Sequence, residues 1–398
     1  MSATPRPECH APGDVDHLLT GDPYRAYSAL RATGRAAARH EPTRSWYVTD
    51  PAHLREMLTD HRFVARGASP LEPALVGVPG AESVERLEAF LGLWPVFSDA
   101  PAQRAASRAL RRYFSRTRAE QLRPAFRAAF EEIARRADGR RPVAGFARPV
   151  SEVMLALLLR LPSEEIDRLR AMTAPTIAYL SNDGQDIGMA DAALDRIEDL
   201  KEWLAVRGRS GDDWLLAELT KAGVELSPDE LAALYMQFVT GALDPTCHAL
   251  VGALRFLRGS TEAQRLAEQG NFAGLVELCL GNDTGFHFAP RRSRCPITFH
   301  GEEIGAGERV VGVLAWGAAV EAATGSAHEA GASPTGTSLA FGHGRHFCLG
   351  AGIAQVTLEE ALRSIHLHRD LTDLDLDAVE RLPALGASIY RDGPGPVG

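Results

Sequence analysis

Phe341-Gly342-His343-Gly344-Arg345-His346-Phe347-Cys348-Leu349-Gly350 is a glycine-punctuated stretch with a single cysteine near its end, and the reading of the chain turns on it. Downstream, Ile353, Ala354, Leu358, Ala361, Leu362 and Ile365 recur at helical spacing, which puts Cys348 at or just before a helix N-terminus. Exposed amides and the positive end of the helix dipole lower the pKa of a thiol held there. Gly342, Gly344 and Gly350 let the backbone curl closely enough to aim N–H groups at sulfur. A thiolate so placed is a nucleophile or an iron ligand; the plain alternative is a buried free cysteine beside a glycine-rich turn.

Iron is favoured by the wider pattern. Phe-Gly-x-Gly-x-His-x-Cys-Leu-Gly resembles the signature of the haem-thiolate enzymes, the cytochrome P-450 superfamily, and it fixes residue type at seven positions within ten. The resemblance implies a mainly α fold with small β-sheets, enclosing haem b (iron protoporphyrin IX) with the Cys348 thiolate as axial ligand. It also implies that Phe341 packs near that ligand, that Gly350 belongs to the same cradle, and that His346 reaches a haem propionate. A thiolate opposite oxygen pushes electron density onto iron and favours O–O cleavage.

The chain has 398 residues, 45% of them hydrophobic, enough for a sizeable core. A net charge of −9 argues against a general nucleic-acid binder. Five cysteines, Cys9, Cys247, Cys279, Cys295 and Cys348, are an odd number without paired spacing, so a reducing cytosol fits better than a disulfide framework. The longest greasy run, Met154 to Leu159, is too short to span a bilayer, and a soluble protein without a membrane anchor is expected. This agrees with the bacterial members of the family.

Residues 1–14 are Pro-rich and polar and read as a flexible arm, leaving residues 15–398 as a single catalytic domain without internal repeat or linker. Ser45-Trp46-Tyr47-Val48 reads as a strand, and Pro51 starts a helix. The progression Asp22-Pro23-Tyr24, Trp46-x-Val48-Thr49, Leu58-x-Asp60-x-Arg62-Phe63 resembles the family's N-terminal region. Pro101 opens a further helix, where Arg104, Arg108, Arg112 and Arg116 recur every four residues as one basic stripe. A solvated face is the plain reading. The resemblance implies that it borders the cysteine side of haem and steers an acidic ferredoxin onto Arg104, Arg108 and Arg112. Where the family carries His-x-x-x-Arg for the propionates, this chain has Gln103 and Ser107. Gln103 still donates a hydrogen bond, but a charge-assisted one is about twice as strong.

From about Ala119 to Gly223 successive helices are expected, with Met154, Leu155, Leu158 and Leu159 on one packed face and a loop at Asn182-Asp183-Gly184. Ser227-Pro228-Asp229-Glu230 then has capping-box spacing and opens a long helix ending near Gly259. Inside it, Pro245 leaves an upstream carbonyl without its helical partner. Taken alone, Gly241-Ala242-Leu243-Asp244-Pro245-Thr246 is a packing kink; beside a haem it resembles the family's oxygen groove. On that resemblance Asp244 is the acid, Pro245 stands where a hydroxyl residue orders water, and Ala242, Leu243 and Pro245 wall the substrate pocket. Thr246 substitutes for the missing alcohol only if the kink rotates it inward, since it lies about 100° further round.

A second departure lies at the family's Glu-x-x-Arg, which here reads Leu278 and Gly281, and no Arg or Lys occurs from Val310 to Ser338 to complete a buried ion triad. Losing one member of such a triad costs about 3–5 kcal/mol, whereas replacing the set with apolar residues can be neutral. Arg291 is the best propionate partner by register with the family; the plain reading is a surface loop arginine. Together these imply oxidative tailoring of a small-molecule specialised metabolite by a haem-thiolate enzyme fed by a ferredoxin, with Cys348 on iron and Asp244 and Thr246 handling protons. Two rivals follow from the departures. One is peroxide-driven, coupling or rearrangement chemistry; the other is a haem-poor partner of a glycosyltransferase, against which the intact Cys348 loop argues.

Overall fold

The first two helices begin alike, each with an aspartate cap followed by proline, whose fixed φ suits the first turn and whose missing N–H loses no partner there. Asp22 accepts from the Arg25 amide at 3.3 Å to open α1 (Pro23–Ala32). Strands β1 (Ala38–His40) and β2 (Ser45–Val48) follow, and Asp50 accepts from the Ala52 amide at 2.9 Å to open α2 (Pro51–Thr59). The computed structural model describes residues 22–99, 101–181, 185–211, 213–324, 338–384 and 386–393. The arm expected over residues 1–14 and the loop expected at Asn182-Asp183-Gly184 lie outside them.

After β3 (Phe63–Ala65) come α3 (Ala81–Leu91), α4 (Pro101–Leu110), α5 (Arg116–Arg136), α6 (Arg148–Leu159), α7 (Ser163–Ser181), α8 (Ile187–Ser210) and α9 (Trp214–Lys221). The long helix α10 (Pro228–Gly259) has its expected capping box, with the Ser227 hydroxyl accepting from the Glu230 amide at 3.2 Å and the Glu230 carboxylate accepting from the Ser227 amide at 2.9 Å. Next are α11 (Thr261–Glu268), α12 (Phe272–Asn282), strands β4 (Phe288–Ser293), β5 (Ile297–Phe299), β6 (Glu302–Ile304) and β7 (Arg309–Val313), α13 (Leu314–Thr324), α14 (Ala351–His368) and the hairpin β8 (Val379–Leu382) and β9 (Ile389–Asp392). The fold is mainly α with small sheets, as expected. Five strands form one sheet in the order β1-β2-β7-β4-β3, in which only β2 and β7 run parallel.

Phe126, Phe130, Phe146, Leu155 and Leu250 sit at the centre of the helical core, and Leu54, Met57, Phe63, Phe299 and Val310 form a smaller core against the sheet. The expected face of Met154, Leu155, Leu158 and Leu159 is buried in the first. Helix α14, which follows the cysteine, is locked to α5. A Cβ on Gly352 would lie 2.7 Å from the Arg116 amide nitrogen, so only glycine permits this approach. Arg123 then spans Glu359 and Glu360, both at 2.7 Å, and Arg127 reaches Glu360 at 2.9 Å.

The basic stripe does not survive folding. Helix α4 ends at Leu110, and the Ser115 hydroxyl accepts from the Arg118 amide to cap a new helix, so Arg112 falls in the turn and Arg116 on α5. Arg112 pairs with Glu218 at 2.7 Å, and Arg116 with Glu120 at 2.8 Å and Glu359 at 3.0 Å. Arg104 and Arg108 remain exposed on α4.

Candidate functional site

The cysteine loop starts from a short 3-10 turn, Leu339–Phe341, and folds back so that the Cys348 amide donates to the Phe341 carbonyl at 2.9 Å. Gly342 and Gly344 take φ of +76° and +71°, a region that disfavours side chains. Gly344 is doubly constrained, because a Cβ there would lie 2.9 Å from the Leu58 carbonyl oxygen of α2. Gly350 caps α14, so Cys348 sits just before a helix, as the spacing predicts. Its thiol behaves differently from expectation. Burial pushes its pKa up, and the Gly350 amide only partly opposes the rise. Yet Cys348 is exposed. The sulfur is hemmed in by protein atoms while part of the side chain stays accessible.

Basic and neutral donors meet beside this loop. Arg291, in β4 between β7 and the edge strand β3, is 3% exposed; its Nη1 donates to the Pro290 carbonyl at 2.9 Å, while its Nε has no hydrogen-bond acceptor among the described residues. It is no surface arginine. Burial pushes its pKa down to about 10, against the attraction of Asp99. Asp99 ties strand to loop, accepting from the Ala65 amide at 2.8 Å and facing His346 Nε2 at 3.1 Å and Arg345 Nε at 3.4 Å. Burial and Arg291 push the His346 pKa down, which leaves it a neutral donor or acceptor near neutral pH. Phe341 is half-buried on the same loop. Gln103 falls on α4, with its side chain outside the described residues.

Helix α10 runs unbroken through Pro245. Gly241 and Asp244 are exposed on it and Ala242 and Pro245 half-buried, whereas Leu243, Thr246 and Cys247 are buried. At about 100° per residue, Gly241, Asp244 and Pro245 share one open face. Thr246 is on the packed side, so the kink has not rotated it inward, and Leu243 likewise belongs to the core. Pro245 has no N–H to offer the Gly241 carbonyl, which is left as an acceptor on that open face. Gly285 packs directly on Pro245, since a Cβ there would lie 2.6 Å from the Pro245 oxygen. The next residue, Phe286, is 52% exposed and forms an isolated bridge with Ala387. No motif marked Phe286; an aromatic following a forced glycine was its only signal.

Gly281, at the family's arginine position, is explained by packing. A Cβ there would lie 2.3 Å from the Ala322 Cβ, so α12 and α13 touch where a side chain would otherwise stand. Restoring the arginine by Gly281→Arg is therefore expected to destabilise the protein by about 3 kcal/mol or more, combining overpacking with a charge that lacks its partner at Leu278. A thermal melt checks this; an unchanged or raised Tm contradicts it.

A buried polar cluster joins α12 to the terminal hairpin. Asp283 accepts from Tyr24 at 3.3 Å and from the hydroxyls of Ser388 and Tyr390, while His287 contacts Tyr27 through Nδ1 at 2.8 Å and Ser388 through Nε2 at 2.9 Å. A recess of about 710 Å³ opens beside it, lined by Arg255, Arg381, Tyr24 and Tyr390 and by no residue of the cysteine loop. Burial pushes the His287 pKa down despite Asp283. The unfolded chain then binds the proton more readily, so the stability this group lends is present above about pH 6.5 and lost as pH falls below it. Asp283 acts in the same sense at lower pH: burial raises its pKa, but His287, Ser388 and Tyr390 outweigh that and hold it low. Tm is expected to fall on acidification below about pH 6.5, and His287→Gln to flatten part of that fall. An unaltered slope in the variant contradicts the assignment.

No family model matches the chain. The cytochrome P450 monooxygenase PikC of Streptomyces venezuelae is 26% identical over 381 residues, covering 92% of this chain and 88% of its own. The mycinamicin IV hydroxylase/epoxidase of Micromonospora griseorubida is 27% identical over 333 residues, covering 80% of each. The solved structure of P450BioI with an acyl carrier protein shares the fold at a TM-score of 0.76 and 20% identity, over 95% of this chain and 98% of that one. Sequence similarity over most of the chain and the shared architecture thus agree with the cysteine loop: the chain is similar to bacterial cytochrome P450 monooxygenases and has the cytochrome P450 fold.

Proposed function

We infer that this chain oxidatively tailors a small-molecule specialised metabolite, fed electrons by a ferredoxin in a reducing cytosol. The superfamily implies a haem held by a cysteine thiolate, and the residues fit one. Arg291 carries the inference: a buried guanidinium without a carboxylate partner among the described residues suits a propionate, with His346 beside it. Cys348 would hold the haem iron through its exposed side chain. Bound there, haem would supply oxygen activation.

The chain's own residues bind and move protons. On the open face of α10 the Gly241 carbonyl and Asp244 carboxylate are acceptors that order water, and Asp244 exchanges protons with it. Thr246, on the packed side, is the less suited relay. Ala242, Pro245 and Phe286 line the substrate side; a metabolite-directed relative supports a small-molecule substrate. Arg104 and Arg108 offer the ferredoxin an exposed basic face, with Arg112 held back by Glu218. No helix among the described residues is long and apolar enough to cross a membrane, and the four described cysteines are free.

Pro245, with Thr246 turned away, favours a second reading in which peroxide is the oxidant or the reaction is a coupling or rearrangement. Turnover with reduced ferredoxin against turnover with peroxide tests the two. Product formed with ferredoxin and NAD(P)H is expected; product formed with peroxide alone overturns the ferredoxin reading.

A further inference from the structure

We propose that Glu321 and Arg55 brace the cysteine loop, supplying the buried ion contact that Leu278 and Gly281 cannot. Glu321 is a lone acid in the apolar helix α13, with its side chain 4% exposed. One of its oxygens accepts from the Leu339 amide at 3.1 Å. Leu339 is the first residue of the 3-10 turn whose last residue, Phe341, receives the Cys348 amide. The other oxygen pairs with Arg55 of α2.

The three elements meet with little room to spare. A Cβ on Gly317, one turn before Glu321, would lie 2.7 Å from both Leu54 of α2 and Leu339 of the loop. Farther along, Gly344 rests on the Leu58 carbonyl of the same helix α2. Helix α12 presses on Ala322 of α13 through Gly281. His343, on the loop, feels both members of the pair. Glu321 thus fixes the entrance of the loop while α2 supports both its counter-charge and the loop's centre. A buried carboxylate is costly unless paired, so the contributions of the two partners are coupled.

The purpose of the brace rests on the haem reading; its contacts do not. Full-length wild type, E321Q, E321L, R55M and the R55M/E321L double variant would be compared by amide exchange at Leu339 and by the share of haem that shows thiolate ligation in the reduced carbon-monoxide spectrum. E321Q keeps an acceptor for Leu339 and is expected to hold its exchange within about threefold, while E321L speeds it roughly ten- to a hundredfold and loses thiolate ligation. R55M takes the Arg55 charge away from Glu321 and lowers the thiolate share, and the double variant recovers part of it because leucine at 321 has less need of that counter-charge. Wild-type exchange and ligation in E321L, or effects that simply add in the double variant, overturn the proposal. If E321L fails to fold, R55M against R55M/E321Q decides by the same recovery criterion. A folded wild type without haem would overturn the haem reading, and Leu339 exchange in that protein would still decide the brace.

Discussion

Cys348→Ala is expected to abolish the long-wavelength carbon-monoxide band of the reduced protein and to lower turnover by roughly a thousandfold or more, the scale of losing a group that acts in bond cleavage. Stability should change by less than about 1 kcal/mol, because the side chain is exposed and leaves no packed cavity behind. None of the other described cysteines can take its place. Cys247 and Cys279 are buried thiols pushed up to about 12 by desolvation, on α10 and α12, and Cys295 is a surface residue away from any helix start. Absorption spectra and product assays on the variant check this. A Cys348→Ala protein that keeps the band and the turnover removes the basis of the functional reading.

Arg291→Leu is expected to act in opposite directions on the two forms of the protein. Without haem, the wild-type guanidinium is a buried charge whose Nε lacks an acceptor among the described residues. Its folded pKa lies below the unfolded value, so burial of the charged form opposes folding across the neutral range. Leucine removes that charge and should stabilise the haem-free protein by about 1–3 kcal/mol. With haem, the same change deletes a charge-assisted contact to a propionate and should speed haem release roughly ten- to a hundredfold. Melting curves of the haem-free form and transfer of haem to an excess of a haem-binding acceptor protein measure the two effects. Shifts of the same sign in both forms would place Arg291 outside the haem contact.

Motifs held within a turn or two of chain were legible. The loop around Cys348, the helix start at Pro51 and the Ser227–Glu230 capping box depend on contacts a few residues apart, and each is where the spacing predicted. Side-chain facing was harder to read. Asp244 and Thr246 are two residues apart, about 200° round the helix, and only packing shows that one looks outward and the other into the core. The basic stripe failed for a local reason of a different kind: Ser115 restarts the helix, and a period continued across a cap is no longer a face.

By itself, then, the amino-acid order determined the class of the fold, the position of Cys348 before a helix and the absence of the family's ion triad. Those are written in short-range spacing and in which residue types are missing. Tertiary structure decided what stands in for the triad and which groups are desolvated: Glu321 meets Arg55, Gly281 meets Ala322, and Arg291 is sealed between strands. Partners distant in the chain leave no periodic trace, and a charge acquires its energetic meaning only from the water that the surrounding fold removes.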